Sequence, residues 1–375
     1  MNISNKTLSL FFTSNTGIKT WKDVGCFDRE IQLYKNLSKH LKRINFITYG
    51  DRKNEKFKNE LRNINILNTK WYKNKYLTTL NIILKDFRDL KNTDILKTNQ
   101  IKGSEIAVIL KKIFRKKLIV RCGYLYSEFM KKKKANREII NRAIKIERSA
   151  FKNADLGIVA TERDRKYVIE NYNVDPNKIK VIPNYVVTDI FKPKTQKKEY
   201  YLVYVGRSGY QKNILSLLKA LEILKNNNKK VSLLMIGSCN KDETLHKYIK
   251  KYDFKVTFAG NIDNFQIPNY LNKCRIFILP SLYEGHPKVL LEAMSCGLPC
   301  IGTNVDGIKE EITHLKNGYL CKTNPESIAK AIQELIKNEK LRNKIGRNAR
   351  KHVLDNYTLD KIVKMELKLY KELLS

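Results

Sequence analysis

The chain has 375 residues, 42% hydrophobic and 30% charged, so it is long enough for two ordinary domains, each with its own core. No apolar run approaches the roughly 20 residues needed to cross a bilayer, and the run at residues 8–12 is too short for a secretory signal. The seven cysteines are scattered, without a CxxC pair or a Cys/His cluster, which argues against a disulfide framework and a metal site. We therefore expect a cytoplasmic protein with reduced, mostly buried thiols.

The net charge of +37 is distributed unevenly along the chain. Residues 1–200 hold 45 Lys and Arg against 20 Asp and Glu, residues 201–375 hold 29 against 17, and residues 111–150 alone hold 14 against 3. Such a cluster suits a nucleic acid, an anionic membrane surface or a phosphate-bearing substrate. Compositional bias explains it equally well, because the chain is also rich in Asn, Ile and Tyr, as expected from an AT-rich genome.

Short apolar runs alternate with helical patterns, which is typical of a parallel sheet covered by helices on both faces. The first half predicts strands at residues 8–12, 44–49, 64–67, 95–98, 118–121, 156–160 and 180–182. After a connector rich in Pro and Lys, the second half predicts strands at residues 201–205, 232–236, 255–258, 275–279, 299–302 and 318–321. The last segment predicts an amphipathic helix with one apolar face, formed by Val363, Leu367, Tyr370 and Leu374. The pattern indicates an α/β protein with two parallel sheets.

The first candidate site follows the predicted strand at 201–205. In open parallel sheets, ligands bind beyond the carboxyl ends of the strands. Gly206 permits a tight turn there, and Arg207 and Lys212 together suit a diphosphate, because Arg binds phosphate as a fork and Lys as a point charge. The alternative is that both are solvated surface charges, since the chain has neither a GxGxxG motif nor a Walker lysine at this point.

The second candidate is the stretch SLYEGHPKVLLEAMSCGLP, which follows the strand at 275–279. Pro287 is well placed to begin a helix, so Glu284 lies in the loop above the strand and Glu292 lies inside the apolar helix. Two carboxylates accept hydrogen bonds from hydroxyls, whereas free helix amides bind phosphate. A nucleotide sugar offers both groups. The alternative is a core helix with Glu292 at its edge.

Several segments together carry a resemblance to a known family. VGRSGYQKN, FAGNIDNFQIPNYLNKCRIFILPSLYEGHPKVLLEAMSCGLPCIGTNVDGIKEEI and NGYLC follow VIPN in that order, and they resemble the nucleotide-sugar domain of glycosyltransferase family 4. The resemblance covers residues 155–350, and its E-x7-E element is specific. It implies the GT-B fold, in which two doubly wound Rossmann-like domains face each other across a cleft. The acceptor-binding domain would span residues 1–190 and the nucleotide-sugar-binding domain residues 191–357, with a helix at 358–375 that packs back on the first domain.

Carried over to this chain, the resemblance assigns three catalytic residues and a donor site. Arg207 and Lys212 would neutralise the diphosphate, and Glu284 would contact the donor sugar. Glu292 would hold the ribose hydroxyls, and His286 would either touch the sugar or support the loop. The other predicted donor-binding residues are Gly17, which approaches the diphosphate, and Gly206 in the tight turn after the strand. Gly260, Asn261 and Ile262 would line the base pocket, and Pro287, Lys288 and Val289 lie at the helix start.

The first half resembles the family less specifically. SNTGIKTWKDVGCFDREIQLY matches in kind the loop that closes over the diphosphate and the acceptor. RCGYLYSEF follows a strand where many relatives place an active-site histidine, but this chain has Arg121, Gly123 and Tyr124 there instead. We expect the acceptor to meet Trp21, Arg121 and Tyr124.

The resemblance implies retaining transfer of a sugar from a nucleotide sugar to a hydroxyl of a glycan or lipid-linked glycan, in surface polysaccharide or glycolipid biosynthesis. UDP is the expected nucleotide by family frequency, and no metal or other cofactor is expected. A lipid-linked acceptor on an anionic inner leaflet would suit the basic N-terminal half. One alternative is a nucleotide-sugar epimerase on the same fold. A basic nucleic-acid-binding protein is another, although the chain lacks a recognition helix, and no nucleic acid is expected as a partner.

Overall fold

A computed structural model describes residues 2–49, 57, 59–61, 63–227, 229 and 231–375. The chain divides into two compact units: unit 1 comprises Met1–Asn184 and Asp360–Ser375, and unit 2 comprises Tyr185–Leu359. The C-terminal segment therefore belongs to the same unit as the N-terminal half. None of the helices in the described part of the chain is both long enough and apolar enough to cross a membrane.

Unit 1 contains a seven-stranded parallel sheet with the order β3-β2-β1-β4-β5-β6-β7. Its strands are β1 (Thr7–Phe11), β2 (Arg43–Tyr49), β3 (Ile64–Thr69), β4 (Ile95–Thr98), β5 (Lys117–Cys122), β6 (Leu156–Val159) and β7 (Ile179–Val181). Its helices are α1 (Ile18–Asp23), α2 (Phe27–Leu37), α3 (Lys75–Lys91), α4 (Ser104–Phe114), α5 (Tyr126–Lys132), α6 (Arg137–Asn153) and α7 (Glu162–Tyr172).

Unit 2 contains a six-stranded parallel sheet with the order β10-β9-β8-β11-β12-β13. Its strands are β8 (Tyr200–Val205), β9 (Leu233–Ile236), β10 (Val256–Gly260), β11 (Cys274–Leu279), β12 (Cys300–Thr303) and β13 (Tyr319–Cys321). Its helices are α8 (Ile214–Asn226), α9 (Glu243–Lys251), α10 (Ile267–Leu271), α11 (Lys288–Ser295), α12 (Pro325–Lys337) and α13 (Glu339–Asn356). Helix α14 (Leu359–Leu374) follows and returns the chain to unit 1.

The predicted α/β class with two parallel sheets is confirmed, and every predicted strand overlaps an observed one. The central strands β8 and β11 are buried almost throughout, as expected for parallel strands covered on both faces. In unit 2 the strand order reverses between β8 and β11, so the connections leaving these neighbouring strands diverge and leave a crevice at their carboxyl ends. Both candidate segments of the sequence begin at this point.

The apolar face predicted for α14 is only partly the face that the helix buries. Val363 and Tyr370 are buried, whereas Leu367 and Leu374 are half-buried. The pattern missed Glu366, whose carboxylate is fully buried and pairs with Lys97 Nζ at 2.6 Å. All seven cysteines lie in the described part of the chain as reduced thiols, and six of them are buried.

Candidate functional site

Three glycines lie at or just after the ends of adjacent strands, at the carboxyl edge of the unit 2 sheet. Gly206 N–H donates to Ile236 O at 2.9 Å, and Gly237 N–H donates to Gly260 O at 2.7 Å. Gly237 has a φ of +117°, and a Cβ there would lie 2.1 Å from Gly206 O, so only glycine fits this position. The backbone at the ends of β8, β9 and β10 is therefore not covered by side chains at these positions, and a ligand can approach it closely. We call Gly206, Gly237 and Gly260 the glycine rim. Gly237 was not among the predicted site residues, although a glycine directly after a buried strand was the signal.

Lys212 and Glu284 form the charged centre of the site. The Lys212 Nζ lies 2.6 Å from Glu284 Oε1, and both side chains are largely buried. Glu284 also accepts a hydrogen bond from Ser281 Oγ at 2.6 Å and a longer one from Gln211 Nε2 at 3.4 Å. Arg207, from the same loop as Lys212, is exposed. The Glu284 carboxylate therefore holds the Lys212 ammonium group at the switch point, the place between β8 and β11 where the strand order reverses. The guanidinium of Arg207 is accessible from solvent.

Two neighbouring loops fix the loop that carries Glu284. From the β8 side, Gln211 O accepts from Leu282 N–H at 2.8 Å, and Gln211 Nε2 donates to Tyr283 O at 3.0 Å. From the β12 side, Gly307 approaches so closely that a Cβ there would lie 2.0 Å from Gly285 O. The loop is thus positioned by contacts to its own backbone from both neighbouring loops.

Glu292 lies on α11 and is 1% exposed. It accepts a hydrogen bond from Asn264 Nδ2 at 3.0 Å, and Asn264 lies in the turn that follows β10. A buried carboxylate requires such partners, because burial without them is costly. The pair joins α11 to the loop that contains Asn261 and Ile262. Asn264 was not among the predicted site residues, since its partner is 28 positions away in the sequence.

The start of α11 presents backbone N–H groups at the sheet edge. Pro287 precedes the helix, and the first backbone hydrogen bonds of the helix run from Leu290 and Leu291 to Pro287 O, at 3.1 and 3.4 Å. The N–H groups of Lys288 and Val289 lie ahead of these bonds, in the part of a helix that attracts anions. The site thus combines hydroxyl acceptors, cations and the amides of a helix N-terminus along one sheet edge.

Two family models together match most of the chain. The model described as glycosyl transferases group 1 matches residues 187–352, and that of glycosyltransferase family 4 matches residues 31–190. The chain belongs to glycosyltransferase family 4. The recognised motifs and the E-x7-E element lie within the first of these matches.

Other family members resemble this chain over part of their length. MJ1607, an uncharacterised glycosyltransferase of Methanocaldococcus jannaschii, is 30% identical over 68% of this chain and 66% of its own length. The Escherichia coli UDP-Gal:alpha-D-GlcNAc-diphosphoundecaprenol alpha-1,3-galactosyltransferase is 30% identical over 55% of this chain and 57% of its own. The chain therefore spans between about half and two thirds of the length of these curated relatives.

A solved structure resembles the whole chain in fold. HepE from Anabaena, solved in complex with UDP and glucose, has a TM-score of 0.79 and 16% sequence identity, covering 98% of this chain and 100% of its own. At this identity the likeness shows the fold alone, which is the GT-B fold predicted for the family 4 chain.

His286, a predicted donor-site residue, faces a buried carboxylate within unit 2. Its Nε2 lies 3.0 Å from Glu311 Oε1, and His352 Nε2 lies 3.4 Å from Glu311 Oε2. Both imidazole rings also meet the Tyr357 ring edge to face, with centroids 5.4 Å apart. Through Glu311, His286 thus links the E-x7-E loop of this family 4 chain to His352 on α13. Contact of His286 with a sugar stays a prediction.

This cluster predicts a specific loss of stability in acid. Burial alone would raise the pKa of Glu311, but hydrogen bonds from His286, His352 and Tyr357 lower it to about 2 from 4.5. Because the folded pKa is depressed, the stabilisation is present above the unfolded value of 4.5 and is lost as the pH falls towards 2. At about 1.4 kcal/mol per pKa unit, the wild type should lose about 3 kcal/mol more than Glu311→Gln over this range.

Urea unfolding between pH 2 and 5 would measure this difference. Glu310→Gln, which removes the neighbouring carboxylate, is the matched control and should keep the wild-type slope. Parallel pH curves for wild type and Glu311→Gln would mean that the histidines do not stabilise the ionised carboxylate.

The predicted acceptor residues and Gly17 lie in unit 1. Gly17 precedes α1, and its N–H donates to Thr20 Oγ1 at 3.2 Å. Trp21 is 7% exposed and stacks on Phe12 with ring centroids 4.4 Å apart, so most of its surface packs in the core.

The other two predicted acceptor residues lie at the carboxyl end of β5. Arg121 donates to Asn184 Oδ1 at 3.2 Å, and an exposed Tyr124 packs against Phe129. Roles for Gly17 and the three predicted acceptor residues in donor or acceptor binding stay predictions.

Proposed function

We propose that the protein is a retaining glycosyltransferase that moves a sugar from a nucleotide-sugar donor to a hydroxyl of a glycan or lipid-linked glycan. The observation that supports this most is the arrangement at the switch point of unit 2. There, two buried carboxylates, a largely buried lysine and a glycine rim lie on the segments that follow β8 to β11. Hydroxyl acceptors and phosphate-binding groups are the two requirements of such a donor.

Each group has a distinct role in the proposed reaction. Glu292, held by Asn264, accepts hydrogen bonds from the ribose hydroxyls. Lys212, Arg207 and the amides that begin α11 stabilise the charge that develops on the departing diphosphate, in a site where preorganised groups need not reorganise. Glu284 orients Lys212 and contacts the donor sugar. These cations and amides carry the leaving-group charge, so the proposed reaction needs no metal.

The relatives support the finer parts of the proposal. HepE was solved with UDP, and the E. coli relative is named for a UDP-sugar and a diphosphoundecaprenol-linked acceptor. We therefore take a UDP-sugar as donor and a lipid-linked glycan as the acceptor class. Such an acceptor would bring the protein to the inner face of a membrane.

A thermal-shift screen of UDP, GDP, ADP and their common sugar conjugates tests the donor site. A nucleotide at 100 times its Kd should stabilise the fold by about 2.7 kcal/mol. We expect UDP and one or more UDP-sugars to raise the wild-type melting temperature, and Glu292→Ala to abolish the shift. Glu243→Ala, which removes an exposed carboxylate of the same unit, should keep it. If no nucleotide stabilises the wild type, or if Glu292→Ala responds like the wild type, the proposed donor site is wrong.

A further inference from the structure

Helix α3 in unit 1 exposes many apolar side chains for a surface helix. It buries Ile82 and Leu90, together with Thr78 and Thr79, whose hydroxyls donate to backbone carbonyls within and just before the helix. Five other large apolar side chains face outward, 50 to 74% exposed; they are Tyr76, Leu77, Leu80, Leu84 and Phe87. A surface helix normally turns its apolar residues to the core and its polar residues to water.

The first four of these side chains form a stripe, because their spacing places them on one side of the helix. The backbone departs from helical geometry at Asp86 (φ −119°, ψ 23°), and Phe87 lies just beyond this kink. Ile113, 54% exposed at the end of α4, extends the same surface. The two helices meet there, because the Phe87 and Phe114 rings lie 5.6 Å apart and Lys116 Nζ donates to Lys91 O at 2.7 Å. We call these six exposed residues on α3 and α4 the α3 face.

Basic side chains surround the α3 face. Those exposed beside it are Lys73, Lys75, Lys85, Arg88, Lys91, Lys112, Arg115 and Lys117. The two acidic residues of α3, Asp86 and Asp89, are half-buried, and burial raises the pKa of Asp86 to about 6. The rim is therefore positive around an apolar centre.

We propose that the α3 face is a membrane-docking surface that places its apolar side chains among anionic lipids. A contiguous exposed apolar patch marks an interaction surface, and the charge of its rim selects the partner. A second copy of the chain would bring two basic rims together, which like-charge repulsion opposes. An anionic leaflet instead receives the apolar stripe at the acyl boundary and the lysines in the headgroup layer.

The inference goes beyond the proposed sugar transfer and is tested without donor or acceptor, so either can fail alone. The probe is a vesicle of 30% phosphatidylglycerol in phosphatidylcholine, compared with pure phosphatidylcholine, in flotation at 0.1 M salt. The full chain should float with the anionic vesicles and only weakly with the neutral ones. Binding should weaken at 0.5 M salt, because the rim charges are screened.

Leu80→Gln/Leu84→Gln should reduce the bound fraction at limiting lipid at least tenfold. The control variant is Leu215→Gln/Leu354→Gln, which changes two exposed leucines of unit 2. It should float as the wild type does. Both double variants should keep the wild-type circular dichroism spectrum. In Leu84→Trp, brominated lipids should quench more fluorescence than in the wild type.

Three outcomes would overturn the proposal. The α3 face is not the docking surface if Leu80→Gln/Leu84→Gln floats as well as the wild type. The occupant is a second copy if the wild type stays off vesicles and forms a dimer that this variant loses. If the wild type neither floats nor dimerises, the α3 face binds neither an anionic membrane nor a second copy, and the proposal is wrong.

Discussion

Lys212→Met is expected to lower the rate of UDP release from a UDP-sugar by about 100- to 1,000-fold. Removing one preorganised group that stabilises charge in a transition state has an effect of about this size. In the proposed reaction the Lys212 ammonium meets the departing diphosphate, and Glu284 holds it in place at 2.6 Å. Single-turnover release of UDP, with and without an acceptor extract, would measure the rate.

The single variant also leaves Glu284 buried without its cation, and breaking such a pair costs about 3 to 5 kcal/mol of stability. Lys212→Met/Glu284→Gln removes both charges and should recover most of this loss while UDP release stays slow. Lys212→Arg, which keeps the charge, should retain more activity than either. A folded double variant that releases UDP at the wild-type rate would show that Lys212 does not act on the leaving group.

Glu284→Gln separates positioning from charge at the same site. The one oxygen of Gln can still accept the hydrogen bond from Ser281, whereas its NH2 group replaces the oxygen that accepts from Gln211 in the wild type. Gln also no longer fixes the ammonium as an ion pair. We expect a smaller loss of rate than in Lys212→Met. The two single variants should also be non-additive, because residues in one ion pair couple in a double-mutant cycle.

The strands, and the sheet edge at which the proposed donor site lies, could be predicted from local sequence. Buried parallel strands produce continuous apolar runs, and the glycines and charges directly after them mark the carboxyl edge where ligands bind. Gly206, Lys212 and Glu284 each follow such a run within a few residues, and the structure brings Lys212 and Glu284 into contact. The start of α11 could also be predicted, because a proline precedes an apolar helical pattern in the sequence.

The partners of the buried polar groups could not be predicted in the same way. Asn264 meets Glu292 across 28 positions, and His352 meets Glu311 across 41. These contacts depend on how loops and helices pack, and no local period records them. The outward face of α3 was missed for a related reason: an apolar pattern shows that one side differs from the other, but not which side faces the core.

The pair of Lys97 and Glu366 illustrates this limit most clearly. It spans 269 positions, lies at 2.6 Å and has both side chains fully buried. Lys97 Nζ also donates to Tyr370 Oη at 3.0 Å and lies over the Tyr34 ring, 5.9 Å from its centroid. Burial lowers the pKa of Lys97, and Glu366 opposes that shift. The pair joins α14 to β4 at the centre of unit 1.

Glu366→Leu is therefore expected to destabilise unit 1 by about 3 to 5 kcal/mol, because it leaves Lys97 buried without its partner. Lys97→Met/Glu366→Leu should lose much less, since apolar residues of similar size replace both charges. Both tryptophans of the chain, Trp21 and Trp71, lie in unit 1, so their fluorescence during urea unfolding follows this unit alone.

An exposed ion pair on the same helix provides the control. Lys368 and Glu372 lie 3.9 Å apart with side chains 79% and 49% exposed, and such pairs contribute between about 0 and 1 kcal/mol. Glu372→Gln should thus leave the urea midpoint almost unchanged, while Glu366→Leu shifts it and releases the C-terminal helix to limited proteolysis. A double variant as unstable as Glu366→Leu would mean that shape rather than charge dominates at this site, because the ionic argument requires the second substitution to restore stability.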